Sequence, residues 1–509
     1  MTVTTETATY TLSIDWNGDG DYGDAGEDVT SDMLDKVVID RGFSDPLARM
    51  TRVGRLSAIL NNVDQDYSPP LAANVRPRRK VKFEMTYDGT TTTLFAGYLT
   101  SIKPTADQYS ADRVTMIECV DDMKVLDTSE GAIALVTDVY ADEVIDDVIN
   151  AVYDSPPTTD FQAGINLFPT SSDRWSWERE AANGPVQDIR ASDKVLDACT
   201  ADWGKFFFAG DGKPTFINRH QMPLDAAAEL TLDDTMIGLD YEMSETQIFN
   251  YIEVTCHPRR VGSSPEVLGK LSDGTAPIIE AGASRTFTIR YQDPSNIAVS
   301  LGGKDAITPV ASTDYECTSD EGGEGDDETS NVTSGMDAYG DHAEVTLTNG
   351  AAHAVYVQTL RVRGYAVRAR SVTLVEEDAT SQGLYGKLRL PIDAVLISSE
   401  AEAASLADFL LDYYKDPRGM VRNVQFLANY NATMMAAARD LELVDRVDVT
   451  ETQVGLSSFE GFIYGLRHEI DFRTGEHVVS MDLEEAYDYG ATAGTWNTST
   501  WQGGDVWIY

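Results

Sequence analysis

Four polar residues at alternate positions, Asp15, Asn17, Asp19 and Asp21, make DWNGDGDYGDAGED the stretch of this chain best equipped for chemistry. Oxygen-bearing side chains spaced this way can converge on one hard cation. Gly20 stands where a tight ligand loop needs a positive φ. The pattern matches the first half of a calcium loop of the D-x-[DN]-x-[DN]-G type, which makes Ca2+ the implied ion. The second half departs from it. Gly26 occupies the position that should supply a bidentate Glu, and Glu27 and Asp28 come late. A strand over 9–14, not a helix, precedes the loop. The competing reading is an acidic, glycine-rich hairpin tip.

The other reactive side chains are scattered. No HExxH, GxSxG or phosphate-cradling glycine loop occurs, and His220, His257, His342, His353, His468 and His477 stand singly. Carboxylates are too common for any pair of them to mark a glycosidase site. Cys119, Cys199, Cys256 and Cys317 lack CxxC or zinc spacing and read as free thiols, with Cys119 and Cys256 inside apolar strand patterns. Trp175 and Trp177 read as core anchors. The terminus GATAGTWNTSTWQGGDVWIY carries Trp496, Trp501 and Trp507 in a polar, glycine-rich run. Large rings in such a run point to docking on a neighbouring chain, the alternative being a tail folded back on its own domain.

Charge narrows the classes further. The chain holds 84 Asp plus Glu against 39 Lys plus Arg, a formal net charge of -45. Self-repulsion of that size penalises a compact state in dilute buffer, and molar salt, with a screening length of about 3 Å, removes most of the penalty. The acid is spread through the chain, a pattern that resembles proteins of extreme halophiles. Such a surface repels phosphate backbones, so DNA is expected only in transit, never as a bound ligand. No apolar run is long enough to span a membrane, and no secretory signal opens the chain.

The elements that carry these residues are organised by a repeat. LFAGYLTSIK (94–103), a polar loop and RVTMIECVDD (113–122) recur as SFEGFIYGLR (458–467), a polar loop and HVVSMDLEEA (477–486). Phe95, Gly97, Tyr98, Leu99 and Ile102 fall on Phe459, Gly461, Phe462, Ile463 and Leu466. At the same offset Val114, Ile117, Glu118 and Cys119 fall on Val478, Met481, Asp482 and Leu483. Each copy alternates apolar and polar residues and reads as strand, turn, strand, loop, strand. The expected fold is mainly β with some α, containing two similar small β-barrels. The first occupies 1–127. A small α/β domain follows at 128–229, with helices expected near 138–152 and 192–201, the latter capped by Ser192. The second barrel takes 230–258 and 420–487. It is interrupted by a β-rich insertion at 259–419, with a helix at 399–414 capped by Ser399 and stopped by Pro417. Residues 488–509 form the tryptophan tail.

The order of three patterns resembles the tail hub family of tailed viruses, the baseplate hub or tail-associated tip proteins. They are FAGYLTSI with DRVTMIECVDD; VLDACTADWGKFFFAGDGKPTFINR (195–219); and AEAASLADFLLDYYKDPR running into LELVDRVDV. The resemblance implies two tail-tube-like barrels per chain and a homotrimer that presents six similar modules. It implies a tail-tube protein or distal tail ring above, a tip or fibre protein below, and a central path for DNA ejection. The expected place is the virion tail, after assembly in host cytoplasm, and the charge makes the host a halophilic archaeon. The function classes set against this structural, non-enzymatic reading are a calcium-dependent surface-binding adhesin and a host-surface glycoside hydrolase.

Overall fold

The computed structural model describes residues 6–105, 113–131, 139–165, 189–220, 222, 227–233, 235–271, 275–293, 296–486, 493–494 and 506–507. The chain is mainly β, with six α-helices among the described residues. The first part supplies β1 (Thr9–Ile14), β2 (Lys36–Gly42), β3 (Arg55–Asn61), β4 (Lys80–Tyr87), β5 (Thr90–Thr105) and β6 (Val114–Val120). Helices α1 (Met123–Thr128), α2 (Ala141–Val152) and α3 (Ala191–Asp202) and the hairpin β7 (Lys205–Phe208) and β8 (Pro214–Ile217) form the small α/β unit. The strands β9 (Leu230–Leu232), β10 (Met236–Met243) and β11 (Tyr251–Cys256) come next.

The insertion holds β12 (Ser284–Arg290), β13 (Val332–Ala338), β14 (His342–Asn349) and β15 (Val355–Ala369) around its own core, which includes Leu268, Tyr291, Val345 and Leu360. After β16 (Val372–Glu377), α4 (Ala379–Tyr385) and β17 (Arg389–Ala394) comes α5 (Glu400–Tyr414), with Ser399 accepting from the Glu402 N–H at its start. The chain then returns through β18 (Gly419–Leu427), α6 (Ala432–Asp440), β19 (Arg446–Glu451), β20 (Leu456–Asp471) and β21 (His477–Glu485).

The repeat survives as topology. One 12-stranded sheet runs β1-β4-β5-β6-β3-β2-β20-β21-β18-β10, with β9 on β19 and β19 on β20. Its first half is β1-β4-β5-β6-β3-β2 and its second is β9-β19-β20-β21-β18-β10, the same order of equivalent strands. The middle strands even share a bulge, between Leu99 and Ser101 in β5 and between Ile463 and Gly465 in β20. Gly97 precedes the first bulge because the end of β6 crosses it closely; a Cβ there would lie 2.1 Å from the Val120 carbonyl oxygen. One difference in sense exists: β1 runs antiparallel to β4, and β9 parallel to β19.

Several expectations are corrected. No closed barrel is present among the described residues, because β2 joins β20 rather than curling back to its own half, and the sheet path ends at β1 and β10. The apolar faces of both halves merge into one core, from Leu12, Ile39 and Phe83 to Phe426, Leu466 and Leu483. The 251–256 stretch, inside the 230–258 segment assigned to the second barrel, is β11 and stands between β16 and β17 in another sheet. Its buried face meets α5 in the core of the small unit, not the core of the repeat. Ser192 lies inside α3, whose extended N-cap position is Arg190.

Candidate functional site

The joint between the two sheet halves is where the most distant parts of the chain meet. In β2 and β20 the ladder pairs Lys36 with Asp471 and continues through Val38–Glu469, Asp40–Arg467 and Arg41–Leu466 to Gly42–Gly465. Alternation puts Val37, Ile39, Leu466 and Ile470 on the buried face, each at most 1% exposed. Burial of side chains of this size stabilises by about 1.5–3 kcal/mol apiece. Gly42 allows the strands to touch: it has a positive φ, and a Cβ there would lie 2.6 Å from the Tyr464 oxygen.

Buried charges tie this joint to the small α/β unit. Arg41, 3% exposed, donates from Nη1 to Glu442 at 2.7 Å. The other Glu442 oxygen accepts the Gly210 N–H at 2.8 Å. Lys205 of β7 donates to the Pro46 and Ala48 carbonyls at 2.9 and 3.3 Å and pairs with Glu484 of β21 at 3.3 Å. Burial pushes the Lys205 ammonium down to about 8, with the Arg49 charge adding and Glu484 opposing. On the far side of the small unit, buried Arg219 bonds Glu402 of α5 at 2.7 Å and the Asp202 carbonyl at 3.3 Å.

Two histidines that stand singly in the sequence meet here. His468 Nδ1 lies 3.0 Å from His477 Nε2, and His477 Nδ1 lies 2.9 Å from the Tyr10 hydroxyl. Both imidazoles are fully buried. Burial lowers the affinity of each for a proton, His477 to about 3, and for His468 the neighbouring His477 and Arg41 add to the effect. Neutral rings each offer one N–H and one acceptor, so Tyr10, His477 and His468 form one chain of hydrogen bonds from β1 to β20. The signal in the sequence was the β20–β21 hairpin, whose register brings residues nine apart onto one face. Arg41, Lys205 and Glu442 had no such local signal.

The loop singled out for calcium is a turn built on carboxylates. Asp15, 2% exposed, accepts the Gly18 and Gly20 N–H groups on its two oxygens. Asp19 accepts from Asp21, and Asp21 from Gly23, while Asn17 donates to Asp19 and Asp24. Glu27 is buried beside them with Oε1 unpaired. No group of three or more His, Cys, Asp or Glu side chains is gathered for a metal among the described residues. Local acceptors of this kind hold hairpin tips without a cation. Asp15→Ala is expected to destabilise the first half of the sheet by about 1–3 kcal/mol. Millimolar calcium is expected to leave the melting temperature of the wild-type chain unchanged; a saturable rise would assign the loop to cation binding.

Trp496 and Trp501 lie outside the described residues, as do Trp175 and Trp177. Trp507 falls in a two-residue strand, Val506–Trp507, parallel to Ala493–Gly494. The four cysteines are buried and free. Among the described residues, the acidic surface clefts include one of about 480 Å³ beside Asp88, Glu229, Asp440 and Asp445, and one of about 540 Å³ beside Asp142, Glu143, Asp146 and Asp147. Neither is lined by a His, Cys, Lys or Arg that would complement a carboxylate in nucleophilic or acid–base work. No helix among the described residues is long and apolar enough to cross a membrane.

No family model and no curated protein matches the sequence. Among solved structures, the chain is similar to a 43 kDa tail protein of prophage MuSo2 from Shewanella oneidensis. The identity is 9% and the TM-score 0.46, over 94% of this chain and 98% of that one. It is similar to a tail protein from Neisseria meningitidis at 10% identity and TM-score 0.46, over 94% and 97% of the two chains. A third is an Escherichia coli type VI secretion component, described as similar to the T4 phage tail proteins gp27 and gp5. There the identity is 8% and the TM-score 0.39, over 94% and 77%. These likenesses concern the course of the chain alone.

Proposed function

We propose that this chain is a structural component of a virion tail, a hub ring in which three copies present six similar sheet modules. The observation that carries the reading is the matched strand order of the two halves within one sheet. A heterologous contact repeated around an axis closes into a ring, and a chain with two equivalent modules lets three subunits imitate six. Such a ring fits a sixfold tail tube or distal tail ring on one face and a threefold tip or fibre on the other. The insertion at 259–419 and the tail at 488–509 are the parts assigned to the tip side. The acidic composition suits a channel through which DNA passes without sticking.

The same charge supports assembly in a salt-rich host cytoplasm, the halophilic archaeal reading of the sequence. Imaging of the full chain in molar KCl tests both points. A threefold ring with a central hole, at three times the 55.7 kDa of one chain, is expected. Dilute buffer is expected to lower the melting temperature markedly. A monomer in molar salt would remove the hub assignment, and a melting temperature indifferent to salt would remove the halophilic one.

A further inference from the structure

The β2–β20 joint has a counterpart that the chain leaves open. In the first half, Ile39 faces Leu56 and Asp40 faces Arg55; in the second, Tyr241 faces Val421 and Glu242 faces Met420. Leu56 in turn faces Cys119, and Val421 faces Leu483, which are matching positions of the repeat. Asp240, Tyr241, Glu242 and Met243 therefore take the places of Val38, Ile39, Asp40 and Arg41. By the same offset, Ile102, Lys103, Pro104 and Thr105 of β5 take the places of Leu466, Arg467, His468 and Glu469 of β20. The occupied joint is buried. At the open one, β10 is paired only to β18, and the end of β5 only to β6, among the described residues. Met243 is 58% exposed where Arg41 is 3%.

We infer that β10 of one copy lies antiparallel along residues 102–105 of the next copy, repeating between chains the joint that β2 and β20 make within one. The inference rests on the ring reading and names its contact. In this register Met243 faces Ile102, Glu242 faces Lys103, Tyr241 faces Pro104 and Asp240 faces Thr105. Met, Ile, Tyr and Pro share one face. Glu242 opposite Lys103 reproduces Asp40 opposite Arg467, an opposed-charge pair on the other face. Glu242 already bonds Arg422, and Lys103 bonds Glu118, each at 3.0 Å. Asp40 and Arg467 likewise keep Arg52 and Glu469 at the occupied joint, where the opposed charges face each other across the ladder without a direct bond.

Two departures make the open joint shorter. Pro104 has no N–H, so the carbonyl opposite it lacks a ladder bond. Ser244 and Ser101 replace the touching glycines Gly42 and Gly465, and Ser244 opens a 3-10 turn instead, accepting the Thr246 N–H. The ladder therefore ends at Met243. A short ladder is weak alone and gains from closure, since each subunit of a ring is held at both ends.

Cysteine pairing in the full chain tests the register. Glu242 and Lys103 would form a non-hydrogen-bonded pair with Cα atoms about 4.5 Å apart, within disulfide reach. In molar KCl under mild oxidation, Glu242→Cys with Lys103→Cys is expected to give covalent dimers and trimers, while each single variant stays uncrosslinked. Lys103→Glu is expected to deplete trimers, and adding Glu242→Lys to restore them. Wild-type trimers without crosslinking in the double variant, or crosslinking only with Ser101→Cys in place of Lys103→Cys, would overturn this contact and leave the ring reading standing. A wild-type chain monomeric in molar salt would overturn both.

Discussion

Replacing Glu442 with alanine is expected to destabilise the full chain by about 3–5 kcal/mol, the usual cost of leaving a buried charge without its partner. Glu442 sits in the turn between α6 and β19. It accepts from Arg41 of the first sheet half, from the Gly210 N–H of the small α/β unit and from its neighbour Leu443. One carboxylate thus holds three parts together. Without it, Arg41 keeps only a long bond to the Phe208 carbonyl, at 3.4 Å, inside a site where its side chain is 4% exposed. The double variant Arg41→Met, Glu442→Leu is expected to recover more than half of the loss, because an apolar pair needs no counter-charge. Met already stands at the equivalent position of the second half, Met243. Urea unfolding in molar KCl, read at the first transition, measures both; an effect below about 1 kcal/mol for Glu442→Ala would place the holding force in the apolar face of the joint instead.

Lowering the pH from 7 to 5 is expected to weaken the β20–β21 region by about 2 kcal/mol through His477 alone. The folded chain holds this imidazole neutral down to about pH 3, whereas the unfolded chain protonates it below its ordinary value of about 6.5. The unfolded state therefore binds more protons in this window, and stability falls as the pH falls from 6.5 toward 3. His468 acts in the same direction. Asp121 acts in the opposite one: burial raises its carboxyl to about 7, so the folded state takes up that proton first and gains stability on acidification. In wild type against His477→Gln, contributions from groups that do not touch His477 cancel, and burial, the main cause, keeps lowering His468 in both. Hydrogen exchange of the 466–470 amides, corrected for intrinsic rates, is expected to lose about 2 kcal/mol less protection in the variant between pH 7 and 5. Equal losses would mean that acid opens this region elsewhere.

The repeat was legible because it is local. Alternation from Leu94 to Lys103 and from Ser458 to Arg467 carries its own strand signature, and the constant offset ties the next strands to it. The bulges after Leu99 and Ile463 fall at that offset too. Helix α5 was legible for the same reason, with Ser399 before it and Pro417 after it. That neither copy closes on itself was not. Alternation tells a strand which face is buried, never which strand lies beside it, since every edge offers the same N–H and C=O groups.

That division runs through the whole molecule. From the sequence alone came a mainly β chain, two copies of one strand module and a strongly acidic composition, because periodicity, turn residues and charge are properties of neighbours along the chain. Only the tertiary structure decided that β2 leaves its own half for β20, that Tyr10 reaches His477, and that Arg41 and Lys205 end up buried against Glu442 and Glu484. Those contacts join residues hundreds of positions apart. They are fixed by which apolar faces and unpaired edges meet once the strands exist, a choice that burial and desolvation make for the assembled chain and no stretch of it makes alone.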